Sequence, residues 1–127
     1  MTAGFVTGGV KTLLRLEGLC LLAASVGLYA QASADWQLFA ILFLAPDLVF
    51  AAYLGGPRQG AIAYNAAHSV IGPLALGATG ILAGTPLAQS LALIWIAHVG
   101  FDRALGFGLK YASGFSDTHL GRTGRKR

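Results

Sequence analysis

Apolar residues dominate four long stretches of the chain, and short polar, glycine- or proline-containing turns separate them. Each stretch is about 20 residues long, the length at which an α-helix crosses the hydrocarbon core of a bilayer. Gly56, Pro57 and Pro86 lie in two of the turns, and such residues typically end or begin helices. We therefore predict four membrane-spanning helices, over residues 12–31, 36–54, 60–82 and 87–110. Short connections favour an all-α fold, a four-helix transmembrane bundle that runs up and down.

Two flanking segments complete the predicted domain organisation. Residues 1–11 form a glycine-containing leader that we expect to be mobile, and residues 111–127 form a polar, basic tail. Phe115 and Leu120 in the tail could insert into the mouth of the bundle and bring Asp117 and His119 over it as a lid. A disordered tail is the alternative, since the segment is too polar to span a membrane and too short to fold alone.

The composition of the chain supports an integral membrane protein. Of its 127 residues, 55% are hydrophobic and 11% are charged, whereas soluble domains average about 25% charged residues. Five acidic and nine basic residues cannot supply the polar surface that a soluble domain of this length needs. The single cysteine, Cys20, lies inside the first apolar stretch, so the chain cannot form an internal disulfide. The predicted partner of the chain is therefore the lipid bilayer.

The basic residues lie on one side of the predicted bundle. Lys11 and Arg15 are at the start of the first span and Arg58 is in the turn after the second, while the other two turns contain no basic residue. By the positive-inside rule both termini then face the cytoplasm, in a multi-pass protein of a bacterial cytoplasmic (inner) membrane. Four of the nine basic residues are in the tail, at Arg122, Arg125, Lys126 and Arg127. Such a tail could bind anionic lipid, and this distribution does not favour nucleic-acid binding.

Ionisable residues inside the predicted spans all lie in the cytoplasmic halves. A charged side chain within hydrocarbon costs a few kcal/mol, so each such residue requires a compensating partner. With a rise of about 1.5 Å per residue, the helices place these groups at a common depth of roughly 10 to 18 Å. The residues at this depth are Asp47, His68, His98 and Asp102, with Glu17 and Asn65 slightly nearer the surface. We expect them to form one pocket that faces the cytoplasm.

Two of these residues lie on one helix face, because His98 and Asp102 are four positions apart. Together with Asp47 and His68 they supply two imidazole nitrogens and two carboxylates, a ligand set compatible with Zn, Mn or Fe. A divalent metal ion held in this way could deliver hydroxide to a lipid-linked ester or phosphate. The sequence therefore predicts a metal site at these four residues.

Three further polar residues are candidates for catalytic roles beside the metal. Glu17 could act as a general base, and Asn65, one helical turn before His68, could orient that imidazole or the substrate. His119 would reach the pocket only if the tail closes over it. These assignments make hydrolysis the leading hypothesis, without establishing that the protein is an enzyme.

The same polar residues have other interpretations. Asp102 could pair with Arg103 or Arg15 as a structural ion pair between helices, and the histidines could simply donate hydrogen bonds between helices. Asp47 follows Pro46 and could cap the helix that restarts there. Two functional alternatives therefore stand beside hydrolysis: a non-enzymatic protein that relays protons or binds a small ligand, and a structural membrane subunit.

Several strings of the sequence resemble the DUF4260 family of small membrane proteins. These strings are LLRLEGL (13–19), FLAPDL (43–48), GP (56–57), YNAAH with a later GP (64–73), IAHVGFDRALGFGLKY (96–111) and GFSDTHLG (114–121). The resemblance covers nearly the whole chain after the leader and implies a membrane protein of several helices, with no activity attached. The strings contain Glu17, Asp47, Asn65, His68, His98, Asp102 and His119. In the placement of Asp and His on successive helices, the chain is loosely similar to membrane-bound metal-dependent hydrolases of the YdjM type.

Overall fold

The computed structural model describes residues 6–111 and 117–122. Within them, helical segments form four spans: α1 (Gly8–Ala32), α2 (Trp36–Leu42) followed by a 3₁₀ helix (Ala45–Gly55), α3 (Pro57–His68) followed by α4 (Ile71–Ala83), and α5 (Pro86–Leu105). Two short strands come after them, β1 (Asp117–Thr118) and β2 (Gly121–Arg122). The prediction of an all-α, up-and-down four-helix bundle is confirmed. The cytoplasmic orientation of the termini stays a prediction.

Three of the spans are long and apolar enough to cross a membrane: Gly8–Ala32, Trp36–Gly55 and Pro57–Ala83. Their large apolar side chains are widely exposed, for example Leu48 at 77% and Leu54 at 94%. Water would solvate this surface poorly, whereas lipid tails are as apolar as the side chains themselves. The protein is therefore a helical membrane protein.

Helix α5 packs against both α1 and α4. Its contact with α1 is a direct approach of the two backbones at Gly18 and Gly100. A Cβ atom on Gly100 would lie only 2.6 Å from the carbonyl oxygen of Gly18 and 2.7 Å from the backbone nitrogen of Leu22, closer than Cβ atoms come in proteins. Small residues permit such close helix pairs in membranes. This crossing holds the second half of α5 in place, where His98 and Asp102 lie.

The second span changes its helix type just before Asp47. The α-helix ends at Leu42, and the chain continues as a 3₁₀ helix of 11 residues with Pro46 in its first turn. Runs of 3₁₀ helix longer than three or four residues are uncommon, and they often mark functional or strained segments. Proline suits the first turn of a helix because its missing N–H would have no helical partner there. The new segment begins with the Asp47 side chain in its first turn.

The third span is interrupted directly after His68. Pro73 has no N–H to donate to the carbonyl of Ser69, and its ring would collide with that carbonyl in a continuous helix. Ser69 instead adopts an extended conformation (φ −89°, ψ 161°). Its hydroxyl oxygen accepts a hydrogen bond from the N–H of Ile71 at 3.2 Å. The break therefore places His68 at the very end of α3.

Helix α5 ends at Leu105, so the predicted boundary at residue 110 is too late. Gly106 has a positive φ of 95°, which favours glycine. The Gly106 N–H donates to the carbonyl of Arg103 at 3.0 Å, and the Phe107 N–H donates to the carbonyl of Asp102 at 2.8 Å. This pair of bonds is the Schellman motif that terminates many helices. Hydropathy missed the stop because the glycine lies within an apolar run.

The hairpin of β1 and β2 folds back onto the segment after α5 and onto Val6, which precedes α1. The N–H of Val6 donates to the carbonyl of His119 at 2.9 Å, and the N–H of His119 donates to the carbonyl of Leu109 at 3.0 Å. Thr118 and Leu120 are each only 1% exposed. The described part of the tail is therefore bound to the bundle through backbone hydrogen bonds and buried side chains.

Part of the tail prediction falls outside the residues that the structure describes. These are Phe115, which was predicted to insert with Leu120, the side chain of Arg122, and the basic residues Arg125, Lys126 and Arg127. Binding of anionic lipid by the tail therefore stays a prediction. The expected mobility of the leader, residues 1–11, stays a prediction for residues 1–5, which lie outside the description, whereas Gly8 to Lys11 form the start of α1.

Candidate metal centre

Three elements bring the four predicted metal ligands together. Asp47 comes from the first turn of the 3₁₀ helix, His68 from the end of α3, and His98 and Asp102 from adjacent turns of α5. One ligand atom from each residue lies within 4.8 Å of the ligand atoms of all the others. The four side chains therefore form one cluster between the helices, which we call the metal centre.

The distances within the metal centre match those between ligands of one ion. The Nε2 atom of His68 lies 3.0 Å from Asp47 Oδ1 and 3.1 Å from His98 Nε2. The Nε2 atom of His98 lies 3.1 Å from the same Asp47 oxygen. Asp102 Oδ2 lies 3.5 Å from His68 Nε2 and 3.3 Å from His98 Nε2. Ligand atoms held about 2.0 to 2.2 Å from a tetrahedral ion lie about 3.3 to 3.6 Å apart.

The two histidine nitrogens require a hydrogen or a metal ion between them. Nδ1 of His68 lies 2.9 Å from the carbonyl oxygen of Tyr64. A carbonyl only accepts, so Nδ1 carries the hydrogen and a neutral ring then presents a lone pair at Nε2. That lone pair faces the Nε2 atom of His98 and a carboxylate oxygen of Asp47. A proton or a metal ion among these atoms removes the repulsion.

The Nδ1 atom of His98, unlike that of His68, has no hydrogen bond to hold it within the described part of the chain. Its Nδ1 atom is buried with no hydrogen-bond partner among the described residues. The backbone carbonyl of Phe43 still acts on the ring electrostatically, and the Phe43 ring meets the imidazole edge-on with centroids 5.4 Å apart. A metal-bound histidine usually donates its other N–H to an acceptor of this kind. The carbonyl of Phe43 is therefore the group that could accept from Nδ1 after a small rotation.

The metal centre is closed on all but one side. His68 and His98 are 2% and 1% exposed, and Asp102 is 9% exposed. The ring of Tyr64 stacks flat on His68, with centroids 3.8 Å apart and planes 3° from parallel. The side chain of Asp47, in contrast, is 31% exposed. A ligand would therefore approach the centre past Asp47.

Side chains of α5 satisfy the backbone carbonyls that the break in the third span leaves open. The indole N–H of Trp95 donates to the carbonyl of Ala67 at 2.5 Å, and Arg103 Nη2 donates to the carbonyl of His68 at 3.1 Å. Unsatisfied backbone groups cost several kcal/mol in a bilayer, so these bonds stabilise the end of α3. Arg15, the other arginine considered for Asp102, donates from Nε to the carbonyl of Ala104 at 2.9 Å.

Glu17 lies apart from the metal centre. Its side chain is exposed on α1, and it is not among the four residues whose ligand atoms converge. The next residue, Gly18, faces α5, and successive residues of an α-helix point about 100° apart. Glu17 is therefore at a similar depth but on another face of its helix. Its role as a general base stays a prediction.

Asn65 binds the chain after α5 rather than the imidazole of His68. Its Nδ2 donates to the carbonyl of Lys110 at 2.8 Å, and its Oδ1 accepts from the N–H of Lys110 at 2.6 Å. The carbonyl of Tyr64, and not Asn65, orients His68. A catalytic role of Asn65 stays a prediction, and the observed contact is a clamp that joins α3 to the segment after α5.

His119 holds the hairpin through its side chain as well as its backbone. The N–H of Leu109 donates to Nδ1 of His119 at 2.9 Å, which requires this nitrogen to be unprotonated. Burial lowers the pKa of His119 below its ordinary value of 6.5, and the positive charge of Arg103 lowers this pKa further. His119 is therefore neutral where it accepts from Leu109, and a catalytic role for it stays a prediction.

Sequence reasoning missed Lys110 and Tyr64. Lys110 is only 6% exposed, and its ammonium nitrogen lies 4.6 Å from the centroid of the Tyr64 ring that stacks on His68. Burial lowers the pKa of Lys110, and the charges of Asp102 and Asp47 act in the opposite direction. The spacing of four between Tyr64 and His68 is a signal of their stacking. Lys110 gave no such signal, because a lysine at a span end usually reaches toward water.

The fold and the metal centre define a class: a helical membrane protein with a buried cluster of two histidines and two aspartates. A family model described as "Domain of unknown function (DUF4260)" matches residues 11–123. The chain belongs to this family, which confirms the resemblance seen in its sequence strings. No curated protein and no solved structure matches the chain.

Proposed function

We propose that the protein binds one divalent metal ion at Asp47, His68, His98 and Asp102 and uses it to hydrolyse a lipid-linked ester or phosphate. The observation that carries this proposal is the convergence of four ligand atoms, from three separate elements, within 4.8 Å of one another. Buried ionisable groups are costly in a membrane, and they are usually found where an ion, a substrate or a proton is handled.

The ligand set favours a transition-metal ion. Imidazole suits Zn, Mn and Fe better than Mg or Ca, which prefer oxygen ligands and more of them. Five of the six pairs of ligand atoms are separated by 3.0 to 3.5 Å, which suits a small four-coordinate ion, and Zn is the ion that most often adopts this geometry. Zn is therefore the first ion to test, followed by Mn and Fe.

We place the reaction on the exposed side of Asp47, where a substrate could reach the metal centre. A divalent ion can lower the pKa of a bound water to about 7 and so supply hydroxide at neutral pH. If the Asp47 carboxylate moves aside or shares the ion, water and a substrate carbonyl or phosphoryl oxygen can reach the ion from the same side. The surrounding surface of the second span is apolar and exposed, which favours a substrate dissolved in the bilayer.

A proton relay is the second candidate function. The separation of 3.1 Å between the Nε2 atoms of His68 and His98 also fits a shared proton, with the carboxylates balancing its charge. In this case the protein would move protons or bind a small ligand without hydrolysing it. A structural subunit, in which the cluster only joins helices, is the remaining alternative. We infer from the basic residues that either site faces the cytoplasm, in a bacterial inner membrane.

Metal analysis of the protein purified in mild detergent separates these candidates. We expect about one Zn, Mn or Fe ion per chain after reconstitution and dialysis, as a four-ligand site requires. His98→Ala should lose this ion, whereas Cys20→Ala, which removes an exposed thiol outside the metal centre, should keep it. Wild-type protein that stays essentially metal-free would overturn the metal proposal and leave the proton relay or the structural subunit.

A further inference from the structure

Two cations accompany the two carboxylates of the metal centre. Arg103 follows Asp102 in α5, donates to the carbonyl of His68 and is within electrostatic reach of Asp102. The ammonium of Lys110 lies over the Tyr64 ring, and its charge acts on both Asp102 and Asp47. The clamp from Asn65 fixes the Lys110 backbone on both sides. Both cations are thus built into the surroundings of the centre.

These charges cancel before any metal ion is added. The two carboxylates balance the guanidinium and the ammonium, while neutral histidines contribute no charge. A divalent ion would therefore add a charge of about +2 that no nearby described acid compensates, in a membrane where uncompensated charge is expensive. In a zinc site with two carboxylates and no cations, the protein itself would neutralise the ion. Here the missing negative charge must come from a ligand.

A phosphate group supplies the missing charge, and a carboxylic ester does not. A phosphate monoester carries a charge of about −1.5 to −2 at neutral pH, and its oxygens accept strong hydrogen bonds from guanidinium and ammonium groups. A carboxylic ester is neutral in its ground state. We propose that the metal centre, with Arg103 and Lys110, recognises a phosphate group, either on a lipid headgroup or as free phosphate. This inference rests on the proposed metal site.

The corresponding reaction is hydrolysis of a phosphate monoester. The oxygen of a water molecule forms a bond to phosphorus, and the bond between phosphorus and the ester oxygen breaks. One water proton ends on the leaving oxygen to give an alcohol, and the other stays on the phosphate product. No oxidant, reductant or third reactant is needed. Lys110 acts here as a specificity-determining residue, since it provides charge for the phosphate and is not a ligand of the metal.

Binding of inorganic phosphate to the zinc-loaded protein tests the inference. We expect phosphate to bind to the wild type and Lys110→Met to weaken this binding by about tenfold or more, the value of a charge-assisted contact. Lys110→Arg should restore most of the affinity. Arg58→Gln, at an exposed arginine in the first turn of α3, should bind phosphate as the wild type does. Zinc content and thermal melting of each variant show whether it is folded and loaded.

The source of the phosphate is resolved with vesicles. Protein is reconstituted into phosphatidylcholine alone or mixed with phosphatidic acid, and competition with inorganic phosphate is measured. Competition by phosphatidic acid identifies a lipid headgroup, and binding of inorganic phosphate without such competition identifies a soluble phosphate. Both results support the inference. Zinc-loaded wild type that binds neither, or binds equally well in Lys110→Met, overturns it, while absence of zinc overturns the metal proposal instead.

Discussion

The two halves of α5 lie in regions that differ in what fills the space between the helices. Around its first half, α1, α4 and α5 leave an apolar cavity of about 670 Å³, with Leu28, Pro73, Ile81 and Ile96 among its lining residues. Around its second half, Gly18 and Gly100 bring the backbones together, and the metal centre occupies the interior. The residues that line this cavity include no cluster of ionisable groups among the described part of the chain. The site is therefore identified by costly polar groups that meet, and not by the volume of a cavity.

Among these predictions, removal of the metal should have the largest effect on the stability of the protein. A ligand present at about 1,000 times its Kd stabilises a folded protein by about 4 kcal/mol. We therefore expect a chelator to lower the melting temperature of zinc-loaded wild type by several degrees, measured by thermal unfolding in detergent. Asp102→Asn, which lacks one ligand charge, should respond much less. Equal melting of the wild type with and without chelator would contradict the proposed role of the metal in stability.

Loss of a single metal ligand should have the next largest effect, on zinc affinity. His68→Ala should weaken zinc binding by more than about 100-fold, because even outer-shell partners of metal ligands are worth about 10- to 100-fold. Leu93→Ala, in the lining of the apolar cavity, should leave zinc affinity unchanged. Competition against a chromophoric chelator measures both. If the two variants bound zinc alike, the contrast between the two regions would be lost.

The crossing of α1 and α5 at Gly18 and Gly100 should tolerate an added methyl group less well than a glycine outside it. Gly100→Ala places a Cβ atom against the backbone of α1, and we expect a loss of about 1 to 3 kcal/mol in the free energy of unfolding. Gly27→Ala is the matched control, because a Cβ atom there meets nothing within 4 Å. It should be neutral or stabilising by up to about 1 kcal/mol, since alanine favours helix. Equal stability of the two variants in chemical unfolding would show that the crossing can relax.

The hairpin should show the smallest effect, as a dependence on pH. The pKa of His119 is lowered in the folded state, so the folded protein binds fewer protons than the unfolded one between this pKa and 6.5. Stability from His119 is therefore complete above pH 6.5 and decreases as the pH falls toward the folded pKa. Protonation removes the bond from Leu109 and adds a positive charge near Arg103, and Lys11 lies close to Gly121 on the same hairpin. We expect a loss of about 1 kcal/mol.

His119→Asn separates this effect from titration of the metal centre. An asparagine oxygen can accept from the Leu109 N–H but does not titrate. Hydrogen exchange of the Leu109 amide should accelerate in the wild type below pH 6.5, relative to its exchange at neutral pH after correction for intrinsic rates, and remain nearly constant in the variant. The same acid sensitivity in both proteins would assign it to the carboxylates and histidines of the centre.

Much of the metal centre followed from local patterns. His98 and Asp102 share a face of α5 because they are four residues apart, and the prolines at 46 and 73 interrupt spans close to Asp47 and His68. The position of a residue along a helix, however, does not tell which way its side chain points around the helix axis. Glu17 has the predicted depth, yet its side chain is exposed because Gly18 takes the face toward α5.

Contacts between distant parts of the chain could not be predicted from these patterns. Asn65 and Lys110 meet because α3 and the segment after α5 pack together, and the burial of Lys110 also depends on the hairpin, since Lys110 bridges to Thr118. Taken separately, each of these polar residues is of a type that is common near the end of a membrane span, so neither indicated the contact. The charge balance around the metal centre depends on these contacts, so it became visible only in the folded chain.

The sequence by itself determined the class, the number of helical spans and the level of the clustered polar residues along them, because hydrophobic length and the cost of charge in hydrocarbon act on each segment separately. Only the tertiary structure decided which polar groups share one centre and which cations accompany it. Those relations depend on how helices rotate about their axes and approach one another, and packing between segments sets both.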